Sequence, residues 1–282
     1  LSPGAGSDLV QPLHEGAFVL PLRTPTLPPA THTNTLVVGG SRLAIIEPAT
    51  PHADERARLD AFLAGLAAQG RRVVAILVTH HHVDHIGYVE SLRETWSVPV
   101  YAHAATAARV PFDVDVCLGP DEVLDLSEGY ALQAVFTPGH APGHHVYLET
   151  KSRVAHGGDL VAGQGTILID PEDDGDMAAY LQSLARLRAL PIGRLVPAHG
   201  PVIDDVHGIV DHYIAHRLQR EAKVLAAIAA APTAWDDVLA AAYDDVPRMV
   251  WPLAARSLEA HVRKLVDEGL VQRDDGRLWR VG

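Results

Sequence analysis

The chain has 282 residues, enough to bury one large core, or one large domain and a small one. Its formal net charge of −12 argues against overall affinity for nucleic acid or an anionic membrane. No apolar run reaches the roughly 20 residues that a membrane helix requires, so no membrane partner is expected.

No basic segment followed by an apolar core opens the chain, so no secretory signal is expected, although Leu1 in place of Met leaves room for N-terminal processing. The single cysteine, Cys117, leaves no internal disulfide and fits a reducing, cytoplasmic setting. Histidine is the unusual entry in the composition: 17 residues, many beside Gly, Asp or Pro.

Residues 1–12 are polar and rich in Gly and Pro, and are expected to be irregular. Ala17–Leu20 reads as a strand, and Pro21–Pro29, with four prolines, as a loop. Thr35–Val38 and Leu43–Ile46 flank Gly39-Gly40-Ser41, a hairpin signal. Asp54–Gln69 has helical spacing (Leu59, Phe62, Leu63, Leu66) and stops at Gly70. Val73–Val78 is a continuous apolar strand, expected to be covered on both faces. It leads into Thr79-His-His-His-Val-Asp-His-Ile-Gly87, followed by a helical stretch, Ile86–Thr95. Pro99–Tyr101 is extended, and 103–121 carries no clear pattern.

Val123–Leu126, Ala131–Thr137, His145–Glu149 and Arg153–His156 read as a run of strands. Asp176–Leu190 is an amphipathic helix, and Arg194–Val196 a short strand. Strands followed by a helix thus occur twice, which predicts a sheet-rich α/β domain with helices outside, over residues 1–218. A helical pattern then runs from Ile203 to Ala231, with further helices at Trp235–Tyr243 and Leu253–Glu268. Leu270–Arg273 and Leu278–Val281 flank the turn Asp274-Asp275-Gly276. Three helices and a hairpin form a winged-helix pattern, taken as a second domain over 219–282.

The chemistry gathers at apparent strand ends. His80 and His82 are two apart, so an extended backbone points both the same way, towards one ion. Asp84 and His85 follow where the chain turns into a helix, and can face a second ion. Three more loops place a His or Asp beside glycine: Thr137-Pro138-Gly139-His140, His156-Gly157-Gly158-Asp159 and Pro197-Ala198-His199-Gly200.

With these residues in view, the sequence resembles the metallo-β-lactamase superfamily. The motif His-x-His-x-Asp-His stands at His80, His82, Asp84 and His85, and the later ligand positions match His140, Asp159 and His199. The resemblance implies an αββα sandwich. It also implies two Zn²⁺ ions, one held by His80, His82 and His140, the other by Asp84, His85 and His199, with Asp159 bridging. Iron or manganese suits the same donors. Tyr180-Leu-Gln-Ser-Leu, His199-Gly-Pro-Val-Ile and Tyr213-Ile-Ala-His-Arg extend the resemblance to the β-lactamase-like protein 2 group, whose members carry a winged-helix tail.

The activity so implied is hydrolysis of a small ester, thioester or lactone by a metal-bridging hydroxide, with Asp84 among the catalytic groups. The alternative, taken from the same group, is a metal-dependent endoribonuclease acting on single-stranded RNA. That alternative needs a basic track. Residues 221–282 hold eight Lys/Arg against ten Asp/Glu, and Arg71-Arg72 and Arg186-x-Arg188 are the best short candidates elsewhere. The tail therefore reads as a structural unit that walls the pocket or forms a homodimer contact, anchored by Trp251 and Trp279. His144, in Thr-Pro-Gly-His-x-x-Gly-His, is a candidate to orient substrate or a metal ligand. His103 and Tyr180 are weaker candidates for substrate contact, and His216-Arg217 for pinning the long helix.

Overall fold

The computed structural model describes residues 10–281, and residues 1–9 of the segment expected to be irregular lie outside it. By contacts the chain forms two compact units: residues 1–137, 142–166 and 190–206, and residues 138–141, 167–189 and 207–282. Residue 218, where the sequence places its boundary, lies inside a helix, Val206–Ala227.

The first unit holds two sheets. One has seven strands in chain order: β1 (Gln11–His14), β2 (Ala17–Arg23), β3 (His32–Gly39), β4 (Arg42–Ile46), β5 (Arg72–Leu77), β6 (Val100–Ala102) and β7 (Val116–Cys117). β1 to β4 are antiparallel neighbours; β4 to β7 pair in parallel. The other sheet has five: β8 (Glu122–Asp125), β9 (Ala131–Phe136), β10 (His145–Glu149), β11 (Val154–His156) and β12 (Arg194–Val196). Helices α1 (Ala53–Ala68), α2 (Val83–Ile86), α3 (Val89–Trp96) and α4 (Ala104–Ala107) belong to the same unit.

Period-two alternation builds two cores from one sheet. Phe18, Leu20, Leu43 and Ile45 face Leu59, Leu63 and Leu66 of α1 and Val89 and Leu92 of α3. Their neighbours Ala17, Val19, Ala44 and Ile46 face Leu132, Ala134, Tyr147 and Val154 of the second sheet. Two sheets back to back, with helices on the outer face of the first, are the expected sandwich. β5 contributes to both cores, as its unbroken apolar run predicts: Ile76 to one and Leu77 to the other.

Three local expectations change. β1 begins at Gln11, inside the segment expected to be irregular, and pairs with the start of β2, Gln11 opposite Val19. β2 also runs through Pro21 to Arg23. Pro21 lies beyond the stretch paired with β1, where β2 is an edge strand, a position that tolerates a missing N–H. The helix expected over Ile86–Thr95 is two helices, because Gly87 N–H donates to Ala49 O (3.1 Å) and Tyr88 N–H to Pro48 O (3.0 Å). A side chain at Gly87 would lie 2.6 Å from the Ala49 carbonyl, so only glycine allows this approach. In the unassigned stretch 103–121 the chain forms α4 and β7.

The second unit holds α5 (Met177–Ala189), α6 (Val206–Ala227), α7 (Trp235–Ala242) and α8 (Trp251–Asp267). A three-stranded sheet completes it: β13 (Thr233–Ala234), β14 (Val271–Asp274) and β15 (Arg277–Arg280), in the order β13-β15-β14. Its core joins Val224 of α6, Ile228 just beyond it, Val238 and Ala242 of α7, Leu258 and Val262 of α8, and Val271 and Leu278 of the wing. Trp251 packs against this core, whereas Trp279 donates its indole N–H to Gln272 Oε1 (2.9 Å) across the hairpin. Among the described residues no helix is long and apolar enough to cross a membrane.

Candidate metal centre

The first unit brings six of the seven expected ligands to one end of its strands. His80 and His82 leave the end of β5, and α2 carries Asp84 and His85. Asp159 follows β11, and His199 follows β12. His140 belongs to the short segment 138–141, which groups with the second unit and is joined by peptide bonds to Thr137 and Pro142 of the first.

The acidic and imidazole groups converge tightly. His85 Nε2 lies 3.6 Å from Asp84 Oδ1 and 3.7 Å from Asp159 Oδ2. His199 Nε2 lies 3.5 Å from Asp84 Oδ2 and 3.4 Å from Asp159 Oδ1. These are the separations of neighbouring ligands around one ion: bonds of ~2.0–2.2 Å in a tetrahedron give edges of ~3.3–3.6 Å. They are too long for hydrogen bonds. His85 Nε2 is fully buried and has no hydrogen-bond partner. A buried, unpartnered imidazole nitrogen between two carboxylates is costly without a cation, so the donor set fits a divalent metal. His80 Nε2 and His82 Nδ1 approach to 3.0 Å, with ring centroids 4.5 Å apart.

The rings are aimed from behind. His199 Nδ1–H donates to His32 O (2.9 Å), and His140 Nδ1–H to Leu168 O (2.8 Å). His80 Nδ1–H donates to Thr79 Oγ1 (2.9 Å), and that hydroxyl donates in turn to Glu47 Oε1. His85 Nδ1–H donates to the same Glu47 oxygen (2.9 Å). Each of these rings thus spends Nδ1 on the protein and presents Nε2 as the nitrogen for an ion.

Glu47 is the residue that sequence reading missed. It is fully buried at the end of β4, with a left-handed backbone (φ 55°) that turns its carboxylate under the histidine turn. Burial alone would raise its pKa, but His85 and His156 outweigh it and bring it to about 2. Burial likewise pulls His85 down, yet Glu47, Asp84 and Asp159 raise it to about 10. Asp84, pushed up by burial, is drawn below the usual carboxylate range by His85 and His199. The available signal was a lone acid closing the apolar run Leu43–Ile46. Thr26, in the proline-rich loop, was missed too: its hydroxyl lies 3.4 Å from His199 Nε2 and hydrogen-bonds Asp84.

The other candidates take different places. His144 is fully buried. Its Nδ1–H donates to Thr137 Oγ1 (2.8 Å), and its Nε2 accepts from the Asp159 N–H (3.0 Å). Burial lowers its pKa to about 3, so it stays a neutral acceptor that positions Asp159. His103 accepts from Ala105 N–H (3.1 Å) as the cap of α4 and stacks on Phe136, with centroids 4.6 Å apart. Tyr180 is fully buried, its ring under the Arg217 guanidinium, a packing position and not a substrate contact. His156, at the end of β11, is buried and donates to Asn34 O (2.8 Å).

A family model described as the Metallo-beta-lactamase superfamily matches residues 27–199. This chain belongs to the metallo-β-lactamase superfamily and is a hydrolase of it. A second model, the Beta-lactamase associated winged helix domain, matches residues 234–279. A Beta-lactamase-like protein 2 homolog of Drosophila melanogaster is 30% identical over 251 residues, which cover 84% of this chain and 83% of that one. An Atrochrysone carboxyl ACP thioesterase of Aspergillus fumigatus is 31% identical over 198 residues, 70% of this chain and 59% of its own. Among solved structures, a Beta-lactamase domain protein from Burkholderia ambifaria shares the fold, with a TM-score of 0.83 at 19% identity over 96% of this chain and 93% of that one.

Proposed function

We propose that this protein is a dinuclear zinc hydrolase of small acyl substrates (esters, lactones and above all thioesters). The observation that carries the reading is the convergence of Asp84, His85, Asp159 and His199 at 3.4–3.7 Å around a buried, unpartnered imidazole nitrogen. In this reading His80, His82 and His140 would hold one ion, and Asp84, His85 and His199 the other, with Asp159 available to both; iron or manganese would suit the same donors. Bound there, such ions supply a Lewis acid for the acyl oxygen and a water acidic enough to attack at neutral pH.

The chain's own residues do the rest. Glu47 fixes the His85 ring directly and the His80 ring through Thr79. His144 holds Asp159 by its backbone. The Asp84 carboxylate, hydrogen-bonded by Thr26 and 3.5 Å from His199 Nε2, would receive the proton of an attacking water. The thioester preference rests on the relative named as an acyl-carrier thioesterase.

Several cations that the ribonuclease alternative would call on are engaged within the protein. Arg71 donates to the carbonyl oxygens of Gly39 and Gly40, and Arg188 pairs with Asp211 (2.5 Å). In the tail, Lys223, Arg256, Arg263, Lys264 and Arg273 each pair with a carboxylate.

The test is a panel of thioesters, esters and lactones assayed with zinc, after chelation, and after zinc is restored. Turnover is expected to follow the metal and to fall to background in His82→Ala and Asp84→Ala, with circular dichroism unchanged. Absence of metal-dependent turnover of every acyl substrate sinks the reading. Single-stranded RNA cleavage that disappears in the same two variants puts the alternative in its place.

A further inference from the structure

Arg217 presents a physical problem. It lies on α6, is only 4% exposed and, among the described residues, makes no ion pair. Its Nε is buried without a partner. Burying a cation this way is unfavourable unless the charge is used for something. What it meets is the Ile167 carbonyl, to which it donates, and the Tyr180 ring, 5.3 Å from its guanidinium carbon.

The next carbonyl along the chain, Leu168 O, is the acceptor of His140 Nδ1–H. Two residues further, Asp170 Oδ2 accepts from Arg256 of α8 (2.8 Å), and Pro171 O accepts from Arg263 of the same helix (3.2 Å). Segment 167–171 is therefore held at three points by arginines of the C-terminal helices, and the backbone atom that aims the His140 ring lies between them. α6 is itself tied to the winged helix: Arg220 pairs with Asp245 (2.8 Å) and Glu221 with Lys264 (2.8 Å).

We infer that the C-terminal helices are a positioning device for the His140 ring. Arg217, Arg256 and Arg263 clamp segment 167–171, and the clamped Leu168 carbonyl fixes the tautomer and direction of the His140 ring. This rests on the proposed role of His140 as a ligand. It gives the tail a job that needs neither nucleic acid nor a partner chain. A carbonyl behind a ligand histidine is worth a factor of roughly 10–100 in metal affinity, so loosening its mount weakens the ion that His140 holds.

The test is zinc competition against a chromogenic chelator, using the full chain. Wild type is expected to bind two equivalents, and His140→Ala identifies the one that depends on this ring. Arg217→Met keeps the packed stem but removes the donor. It is expected to weaken that same equivalent about tenfold, leave the other within about twofold, and add nothing in the His140→Ala background. Arg217→Lys, which can still donate to Ile167 O, is expected to recover most of the loss. Should Arg217→Met fail to fold, the doubly substituted Arg256→Gln/Arg263→Gln chain, altered at two partly exposed side chains, carries the same expectation. Both equivalents unchanged in Arg217→Met and in the double variant overturn the clamp alone, as does an undiminished further loss in the His140→Ala background. No metal uptake by wild type overturns both the clamp and the proposed centre.

Discussion

Gly139 is the position at which one added methyl group tests the most of this structure. Its φ is +128°, outside the range open to L-residues, and a Cβ built there would lie 2.3 Å from both N and Cα of Tyr180. The obstacle is backbone, so no rotamer change relieves it. Ordinary contact begins near 3.4 Å, so Gly139→Ala must separate the two segments by about 1.1 Å. The surroundings resist: Asp176 N–H donates to Gly139 O (2.8 Å), and Ser183 Oγ to Pro138 O (2.6 Å). Overpacking of this kind costs about 1–3 kcal/mol, and a left-handed L-residue about 1–2 more. A loss of about 2–5 kcal/mol in stability is therefore expected. The displaced residue is also the neighbour of His140, and a misplacement of about 1 Å costs on the order of 100-fold in rate. Thermal melts of the metal-free chain and acyl turnover of the zinc-loaded chain are the two assays. A melting temperature within about 2 °C of wild type, with turnover unchanged, refutes the packing argument.

Two further outcomes follow from buried groups. Glu47→Ala strands the donors of Thr79 and His85, and is expected to destabilise the metal-free chain by about 3–5 kcal/mol in urea denaturation. Glu47→Gln keeps an acceptor oxygen and is expected to cost less than half as much; equal costs contradict the network. In the second unit, burial lowers the pKa of His261, and Glu221, although raised by burial, is brought lower by His261 and Lys264. Both folded values lie below the unfolded ones of 6.5 and 4.5, so the unfolded chain protonates first. Their stability is present above about pH 6.5 and is lost on acidification, His261 first. Urea midpoints at pH 7.5 and 5.0 are expected to differ more in wild type than in His261→Leu; equal differences would falsify this.

What was legible in the sequence follows from what can be local. The ligand turn could be read because His80, His82, Asp84 and His85 lie within six residues of one another. β5 was legible because a strand buried on both faces must be continuously apolar. Glu47 was not, because its meaning comes from residues 32 and 38 positions later, Thr79 and His85. His144 left two readings open, orienting substrate or orienting a metal ligand, because a histidine beside Pro and Gly does not say which way its loop folds. Only the fold encloses it beneath Asp159. The break between α2 and α3 was invisible for the same reason: the acceptors that cause it, Pro48 and Ala49, belong to a distant loop.

The order of the strands has a bearing on biosynthesis. Both sheets of the first unit list their strands in chain order, so each new strand joins an edge completed just before it. A nascent chain can thus extend each sheet as it emerges, without waiting for a distant partner. The proposed ligands, however, arrive in instalments. The histidine turn is finished at residue 85, and His199 comes 114 residues later. At about 5–20 residues per second, the turn waits roughly 6–23 s for His199. In the proposed assignment, an ion held early by Asp84 and His85 would have an incomplete coordination sphere during that interval and would exchange readily, so that site would load only after the ribosome has passed β12.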